Sequence, residues 1–390
     1  MGFLSTSLVA QAFFDLVRLF IPIRKYREQY RYAFLVHPRD ERDMIRRFHI
    51  LAYVPSTLRR ILQHHLWPLT VSRITGLRSQ KTNELVDGYV ISIPMTAREM
   101  ILHRKTALKQ IRRAVRLARN RGAKIVGLGA LTSSLSRGGL DLIDIPHVSI
   151  TTGHAYTGHT VTQTLLTQLA QHDISLENPA CTIAIVGAAG SIGSLAAEIL
   201  AKRGAVSLLL LDLERKMTAV QELRTKLVSR HSALTIQCSY TMKDLEQAVG
   251  VITATNAPEA LVKSAHVSSG TFIVDDAQPS DIASELYDRK DVVVLEAGAV
   301  TTPGISTNMN MGLSGKHTNY CCLAEVLILA AHKHEHNFVI NRATLQDIEH
   351  IRDKGENLGF TLARPQNEHG LVMPEHLAHV AQLAKKRCRI

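Results

Sequence analysis

Apolar residues recur in this chain with two different spacings, and the switch between them marks out its elements. Short apolar runs at residues 32–37, 70–75, 85–93, 124–129 and 148–151 read as strands. Between them, residues 97–121 place Met100, Ile101, Ala107, Leu108, Ile111, Val115 and Ala118 at roughly helical spacing, which predicts one long helix. From Cys181 onward the alternation is regular. It runs strand (182–186), helix (191–202), strand (207–211), helix (214–229), then strands near Leu234, Val251, Ile273 and Val293. Near-continuous apolar runs such as Leu208 to Leu211 and Val292 to Leu295 are what strands covered on both faces of a parallel sheet require. Helices are expected at 157–170, where one joins two domains, and at 319–331, 344–358 and 374–386. The pattern is that of an α/β protein and contains no internal repeat.

A chain of 390 residues with 45% hydrophobic content suffices for two compact domains. Five cysteines without a paired Cys-x-x-Cys spacing suggest unbridged thiols in a reducing, cytoplasmic setting. Charge is unevenly distributed: residues 1–120 carry a net +14, whereas the remainder nets −2. Such a basic region favours an anionic partner. Nucleic acid is not expected, because there is no zinc-finger spacing, no aromatic RNP-like strand and only 5% aromatic content. Residues 1–31 begin with an apolar helix interrupted by Asp15 and Arg18 and followed by Arg24, Lys25, Arg27 and Arg31. It is too short and too charged to span a bilayer. Two readings remain open, a membrane-surface helix with basic anchors and a terminal helix packed on its own domain. Met1-Gly2 with Thr6 also fits a loose myristoylation pattern.

Residues Gly187-Ala188-Ala189-Gly190-Ser191-Ile192-Gly193 follow an apolar strand and open a helix. In that context Gly187 permits a tight turn, Gly190 lets the backbone approach a pyrophosphate, and Gly193 lets helix and strand pack closely. Phosphates would rest on the amides of Ala189, Gly190, Ser191 and Ile192 at the helix N-terminus. The expectation is a Rossmann domain holding NADPH or NADH. Asp212, at the end of the second strand, is placed to bind a ribose 2′-OH, while Arg215 offers a compensating charge for a 2′-phosphate. Thr255, after the fourth strand of this region, is expected on the nicotinamide side. The resulting layout has a basic N-terminal helix (1–31), an α/β substrate domain (32–170), a Rossmann NAD(P)-binding domain (171–310) and a C-terminal helical segment (311–390).

Cys321 and Cys322 fall in the first turn of a helix that Thr318 or Asn319 could cap. The positive end of the helix dipole would lower a thiol pKa there, although two small buried hydrophobes would look the same. Cys181, Cys238 and Cys388 lack such surroundings and read as inert. His154 and His317 are candidates for acid or base work. His332, His334 and His336 alternate near one helix end, but residues two apart do not share a helical face, so no metal site is expected.

Several segments together resemble the long-chain acyl-carrier-protein reductases that form fatty aldehydes, a family also labelled predicted amino-acid dehydrogenase. They are Phe34-Leu35-Val36-His37-Pro38-Arg39-Asp40, residues 123–130 with Thr132 and Ser133, Thr151-Thr152-Gly153, the glycine turn, and Tyr320-Cys321-Cys322-Leu323-Ala324-Glu325. The resemblance implies that Cys322 is a nucleophile carrying an acyl thioester from acyl carrier protein or acyl-CoA, and that a nicotinamide hydride reduces it. By the same analogy Thr132, Ser133, Thr152, Gly153 and His154 line the acyl site. Two further functions compete with it. One is an oxidoreductase of the shikimate or amino-acid dehydrogenase type without a covalent intermediate, and the other is a non-catalytic, membrane-associated NAD(P)-binding protein.

Overall fold

The computed structural model describes residues 12–21, 29–47, 49–277, 279–309 and 312–388. Two six-stranded sheets dominate it. The first has the order β13-β2-β3-β1-β4-β5, built from β1 (Arg31–Val36), β2 (Leu69–Thr75), β3 (Asp87–Ser92), β4 (Ala123–Leu128), β5 (Ser149–Thr151) and β13 (Ser306–Thr307). Strands β3, β1, β4 and β5 run parallel, whereas β2 and β13 add antiparallel at one edge. The return of β13 from beyond the second sheet has no signal in the sequence, because two residues carry no period.

The second sheet has the order β11-β10-β9-β6-β7-β8 and is parallel throughout. Its strands are β6 (Thr182–Val186), β7 (Ser207–Leu211), β8 (Thr235–Ser239), β9 (Ala248–Thr253), β10 (Thr271–Asp275) and β11 (Val292–Glu296). Counted from β6 the order is 3-2-1-4-5-6, the doubly wound Rossmann arrangement, with its direction reversing between β6 and β9. The apolar runs behave as their patterning requires: Leu208 to Leu211 and Val292 to Leu295 are buried. Helices α8 (Ser191–Lys202), α9 (Met217–Val228) and α12 (Pro374–Arg387) pack against this sheet. The fold expectation, an α/β domain followed by a Rossmann domain with C-terminal helices, is met.

The C-terminal segment divides its loyalties. Helix α10 (Cys321–Ala331) is apolar apart from Glu325, which demands burial. It lies on the first sheet against β1 and β4 and touches α7 (His154–Gln171) and α11 (Leu345–Asn357), while α12 joins the Rossmann core. The sulfurs of Cys181, at the root of β6, and Cys388, at the end of α12, form a disulfide with Cα atoms 5.5 Å apart. That corrects the expectation of unbridged thiols, since the two residues are 207 positions apart and only tertiary packing joins them. Residues 97–121 also differ from expectation, splitting into α4 (Ala97–Leu102) and α5 (Arg104–Asn120) at His103, whose φ of −119° and ψ of 54° are not helical.

Helix α1 (residues 12–18) packs on the first domain. Its buried Asp15 accepts the Thr70 amide at 2.7 Å and pairs with Arg121 at 2.6 Å, and Trp67 donates to the Ala12 carbonyl. Asp15, one interruption in the apolar stretch, is thus explained by its buried ion pair, while the Arg18 guanidinium donates to the Ile21 carbonyl at 3.4 Å. Met1, Gly2, Thr6, Arg24, Lys25 and Arg27 lie outside the described residues. No helix among the described residues is long and apolar enough to cross a membrane.

Candidate active site

The glycine turn sits at the carboxyl end of β6, at the switch point of the sheet. Gly187 has φ +86°, and a Cβ there would lie 2.6 Å from the Ala254 carbonyl oxygen. A Cβ on Gly193 would be 2.3 Å from the Gly187 carbonyl oxygen, so only glycine lets α8 seat against the turn. Gly190 differs, since a Cβ would meet the Gly187 oxygen at 3.0 Å and the Ala254 oxygen at 3.7 Å, with its remaining side open. That open side, with Ser191 and Ile192 in the first turn of α8 beyond it, is the cradle a pyrophosphate needs. Gly187 thus makes a tight turn and Gly193 a close helix contact, while the Gly190 amide is bonded to the Gly187 carbonyl at 2.9 Å.

Asp212 is more deeply committed than expected. Its carboxylate accepts the Ala189 amide at 2.9 Å and the Leu213 amide at 2.8 Å, and it pairs with Lys216 at 3.3 Å. It braces the turn from below, leaving Arg215 and Lys216 exposed beside it. A residue that sequence reasoning missed completes this wall: the Arg342 guanidinium donates to the Ala189 carbonyl at 3.1 Å. No local pattern could reveal it, because Arg342 arrives 153 residues later on the loop before α11.

The first domain supplies the opposite wall from the carboxyl ends of β4 and β5. Ala130 follows β4 with φ 48° and ψ −131°, an unusual backbone state for an L-residue, and leads into α6 (Leu131–Ser134). Thr132 spends its hydroxyl on the Gly129 carbonyl at 2.7 Å, whereas Ser133 faces His154, Oγ to Nε2 at 3.1 Å. The other ring nitrogen, Nδ1, lies 2.9 Å from Ser191 Oγ in the glycine turn. His154 therefore bridges the candidate substrate wall and the candidate cofactor wall. Burial drives its pKa down to about 4, so near neutral pH the ring is uncharged, donating through one nitrogen and accepting through the other.

Gly153, at φ +81°, packs directly on Cys322: a Cβ there would lie 2.6 Å from the Cys322 Cβ. Beneath it the buried Glu325 carboxylate accepts the Gly153 amide at 3.0 Å, the Tyr156 amide at 2.9 Å and the Thr151 hydroxyl. An acidic group at the N-terminus of α7 suits the helix dipole, yet burial raises its pKa from the usual 4.5 to about 7 against those bonds. Thr152 accepts weakly from the His154 amide at 3.5 Å. Cys322 is half-buried on this surface; Cys321 is buried, with its sulfur 3.1 Å from Thr157 Oγ1 and its thiol pushed well up by burial. Neither expected cap forms. Tyr320 is the N-cap without a side-chain bond, because Thr318 and Asn319 belong to β14 (Thr318–Tyr320), where Asn319 donates to Thr302. His317 is a loop residue whose Nδ1 contacts the Ile305 carbonyl at 2.9 Å.

Acidic groups gather at the carboxyl ends of β9, β10 and β11. Thr253 donates to Asp275 at 2.6 Å, and Thr255 donates to Asp281 through its hydroxyl at 2.5 Å and through its amide at 3.2 Å. Asp276 follows β10 and lies near Cys321 across Gly298. Burial and the neighbouring acidic groups keep its carboxyl protonated far above the usual range, while burial lifts Asp281 to about 7. Thr255 is thus committed to Asp281. Asp276 and Asp281 carried no motif that would single them out in the sequence.

Residues 168–300 match the family profile of shikimate / quinate 5-dehydrogenase. A curated relative, the aminotransferase PigE of a Serratia species, is 25% identical over 287 residues, covering 72% of this chain. The chain spans about a third of PigE, 33% of its length. Among solved structures, the malic enzyme of Entamoeba histolytica aligns over 98% of this chain and 73% of its own at 12% identity and TM-score 0.42. The quinate dehydrogenase of Corynebacterium glutamicum aligns over 63% and 80% at 13% identity and TM-score 0.30. The family profile overturns the expected acyl-carrier-protein reductase membership, and with it the aldehyde-forming thioester reaction. The segments that suggested it instead lie at strand ends of the two sheets and at the start of α10, and a nicotinamide cofactor agrees with that profile.

Proposed function

We propose that this chain is an NAD(P)H-dependent oxidoreductase of the shikimate/quinate dehydrogenase type, interconverting a hydroxyl and a carbonyl on a small polar acid without a covalent intermediate. The observation that carries this reading is the convergence of the glycine turn with a half-buried carboxyl, Asp276, beside Gly298 and Cys321 at the carboxyl end of the same sheet. When bound, the dinucleotide supplies or accepts the hydride. Gly187, Gly190 and the first turn of α8 hold its pyrophosphate, and Arg342 adds positive charge at that turn. Asp276, whose carboxyl burial pushes well above the usual range, is the group that gives up or takes the substrate hydroxyl proton. Ser133 and the neutral His154 hold the polar substrate against the turn, and Cys322 lines the floor.

Because Asp212 is engaged by two backbone amides and Lys216, Arg215 and Lys216 are the side chains that meet the adenosine ribose. That favours NADPH over NADH. The reading is tested by following nicotinamide absorbance with the purified chain, NADP⁺ or NAD⁺, and a panel of hydroxy acids headed by shikimate and quinate. Turnover that Asp276→Asn lowers by about 10²–10³-fold supports it. Tight cofactor binding with no turnover on any of them refutes it.

A further inference from the structure

Outside the cleft, three side chains with metal-binding atoms meet on the surface of the first domain. His64 stands in the last turn of α3 (Ser56–His65), and Glu99 and His103 stand one helical turn apart, in α4 and at its C-cap. The i, i+4 spacing puts Glu99 and His103 on one face. His64 Nε2 lies 2.7 Å from Glu99 Oε2, and His103 Nε2 lies 3.5 Å from the same oxygen. The two imidazole rings are 4.5 Å apart between centroids, and the three ligand atoms all fall within 4.8 Å of one another.

We propose that His64, Glu99 and His103 bind a divalent transition metal of the zinc class, and that the ion clamps α3 to α4. The donor set, two imidazoles and one carboxylate, is a recurrent zinc combination that leaves one position for water. Zinc–ligand bonds of about 2.0–2.1 Å at tetrahedral angles put ligand atoms about 3.3 Å apart. The His103–Glu99 separation of 3.5 Å already meets that need, and the His64–Glu99 contact opens by about 0.6 Å to meet it. His103 is half exposed, at 47% of its side-chain surface, so an ion has a route in.

The surroundings hold the ligands in place. Gln110 donates to the His64 carbonyl at 3.2 Å and to the Leu66 carbonyl at 2.7 Å, fixing the end of α3. Gln63 accepts the Thr96 amide at 3.1 Å, and Thr96 caps α4 by accepting from the Glu99 amide. The two helices are thus already registered, and the ion adds a cross-link between segments 35 residues apart.

The test uses the full chain without a histidine tag, stripped with chelator and titrated with Zn²⁺ against a chromophoric chelator, then with Co²⁺ followed by its visible spectrum. We expect one equivalent bound, tetrahedral Co²⁺ bands and a melting temperature that rises with zinc. His64→Ala and His103→Asn should each weaken binding at least about 100-fold and remove the melting shift, with His332→Ala as an unaffected control. His103 is exposed enough for its replacement to fold, so this variant decides the matter if His64→Ala is unstable. Stoichiometric zinc binding of unchanged affinity in His103→Asn would overturn the proposal, as would the absence of binding in the parent chain.

Discussion

Replacing Gly193 by alanine discriminates between a phosphate-binding turn and a merely tight one when it is compared with Gly190→Ala. At Gly193 the new methyl would lie 2.3 Å from the Gly187 carbonyl oxygen, 2.8 Å from its carbon and 3.0 Å from the Ala188 Cα. All three are backbone atoms, so no side chain can swing aside. Ordinary contact requires α8 to retreat by about 1 Å, a change of the overpacking kind that costs about 1–3 kcal/mol. Melting should fall by about 3–10 °C, and dinucleotide affinity by about 10–100-fold, because the amides of Ser191 and Ile192 move with the helix. At Gly190 the methyl meets the Gly187 oxygen at 3.0 Å and the Ala254 oxygen at an ordinary 3.7 Å. That variant should keep its melting temperature within about 2 °C and still lose about 10–100-fold in affinity, through lost charge-assisted amide bonds to phosphate. Differential scanning fluorimetry and fluorescence titration with NADPH and NADH read both quantities. Unchanged cofactor affinity in Gly190→Ala would refute the assignment of the cradle, and unchanged melting in Gly193→Ala would refute the packing argument.

Other consequences can be measured directly. Cys322→Ser should retain turnover within about 10-fold, since a floor residue is not a nucleophile; a loss of about 10⁴-fold with intact cofactor binding would sink the non-covalent mechanism. Asp276→Asn should lower kcat by about 10²–10³-fold with cofactor affinity preserved, and an unchanged kcat would remove it from proton transfer. Arg215→Glu with Lys216→Glu should weaken NADPH at least about 10-fold more than NADH, measured as a ratio of Kd values. Glu325 holds its proton to about 7 in the folded chain against an ordinary 4.5, so the native state binds more protons in that window. Stability should therefore fall as pH rises from about 4.5 to 7, by up to about 3 kcal/mol from this residue, and level off above it. Glu325→Gln should flatten the decline in denaturant melts, and an unaltered slope would show that Glu325 titrates normally.

Much of the dinucleotide half was legible along the chain. The strand, turn and helix around Gly187, Gly190 and Gly193 depend on local steric demands, namely a positive φ and a close helix approach, which a glycine at a given spacing satisfies wherever the domain sits. The buried strands were equally plain, because a parallel sheet covered on both faces requires uninterrupted apolar runs. What local spacing could not convey was which distant groups those elements bring together. His154 joining Ser133 to Ser191, Arg342 reaching the Ala189 carbonyl, Asp276 beside Cys321, and the Cys181–Cys388 bridge each pair residues from different elements. The resemblance built on Cys322 failed for the same reason, since short segments at strand and helix ends share spacing whatever reaction they serve. Sequence alone determined the α/β class, the dinucleotide turn and the basic N-terminal half, because these follow from local periodicity and composition. The partners of each polar side chain, and the shifted pKa values of His154, Glu325 and Asp276, were set by tertiary packing, because burial and proximity exist only once the chain has folded.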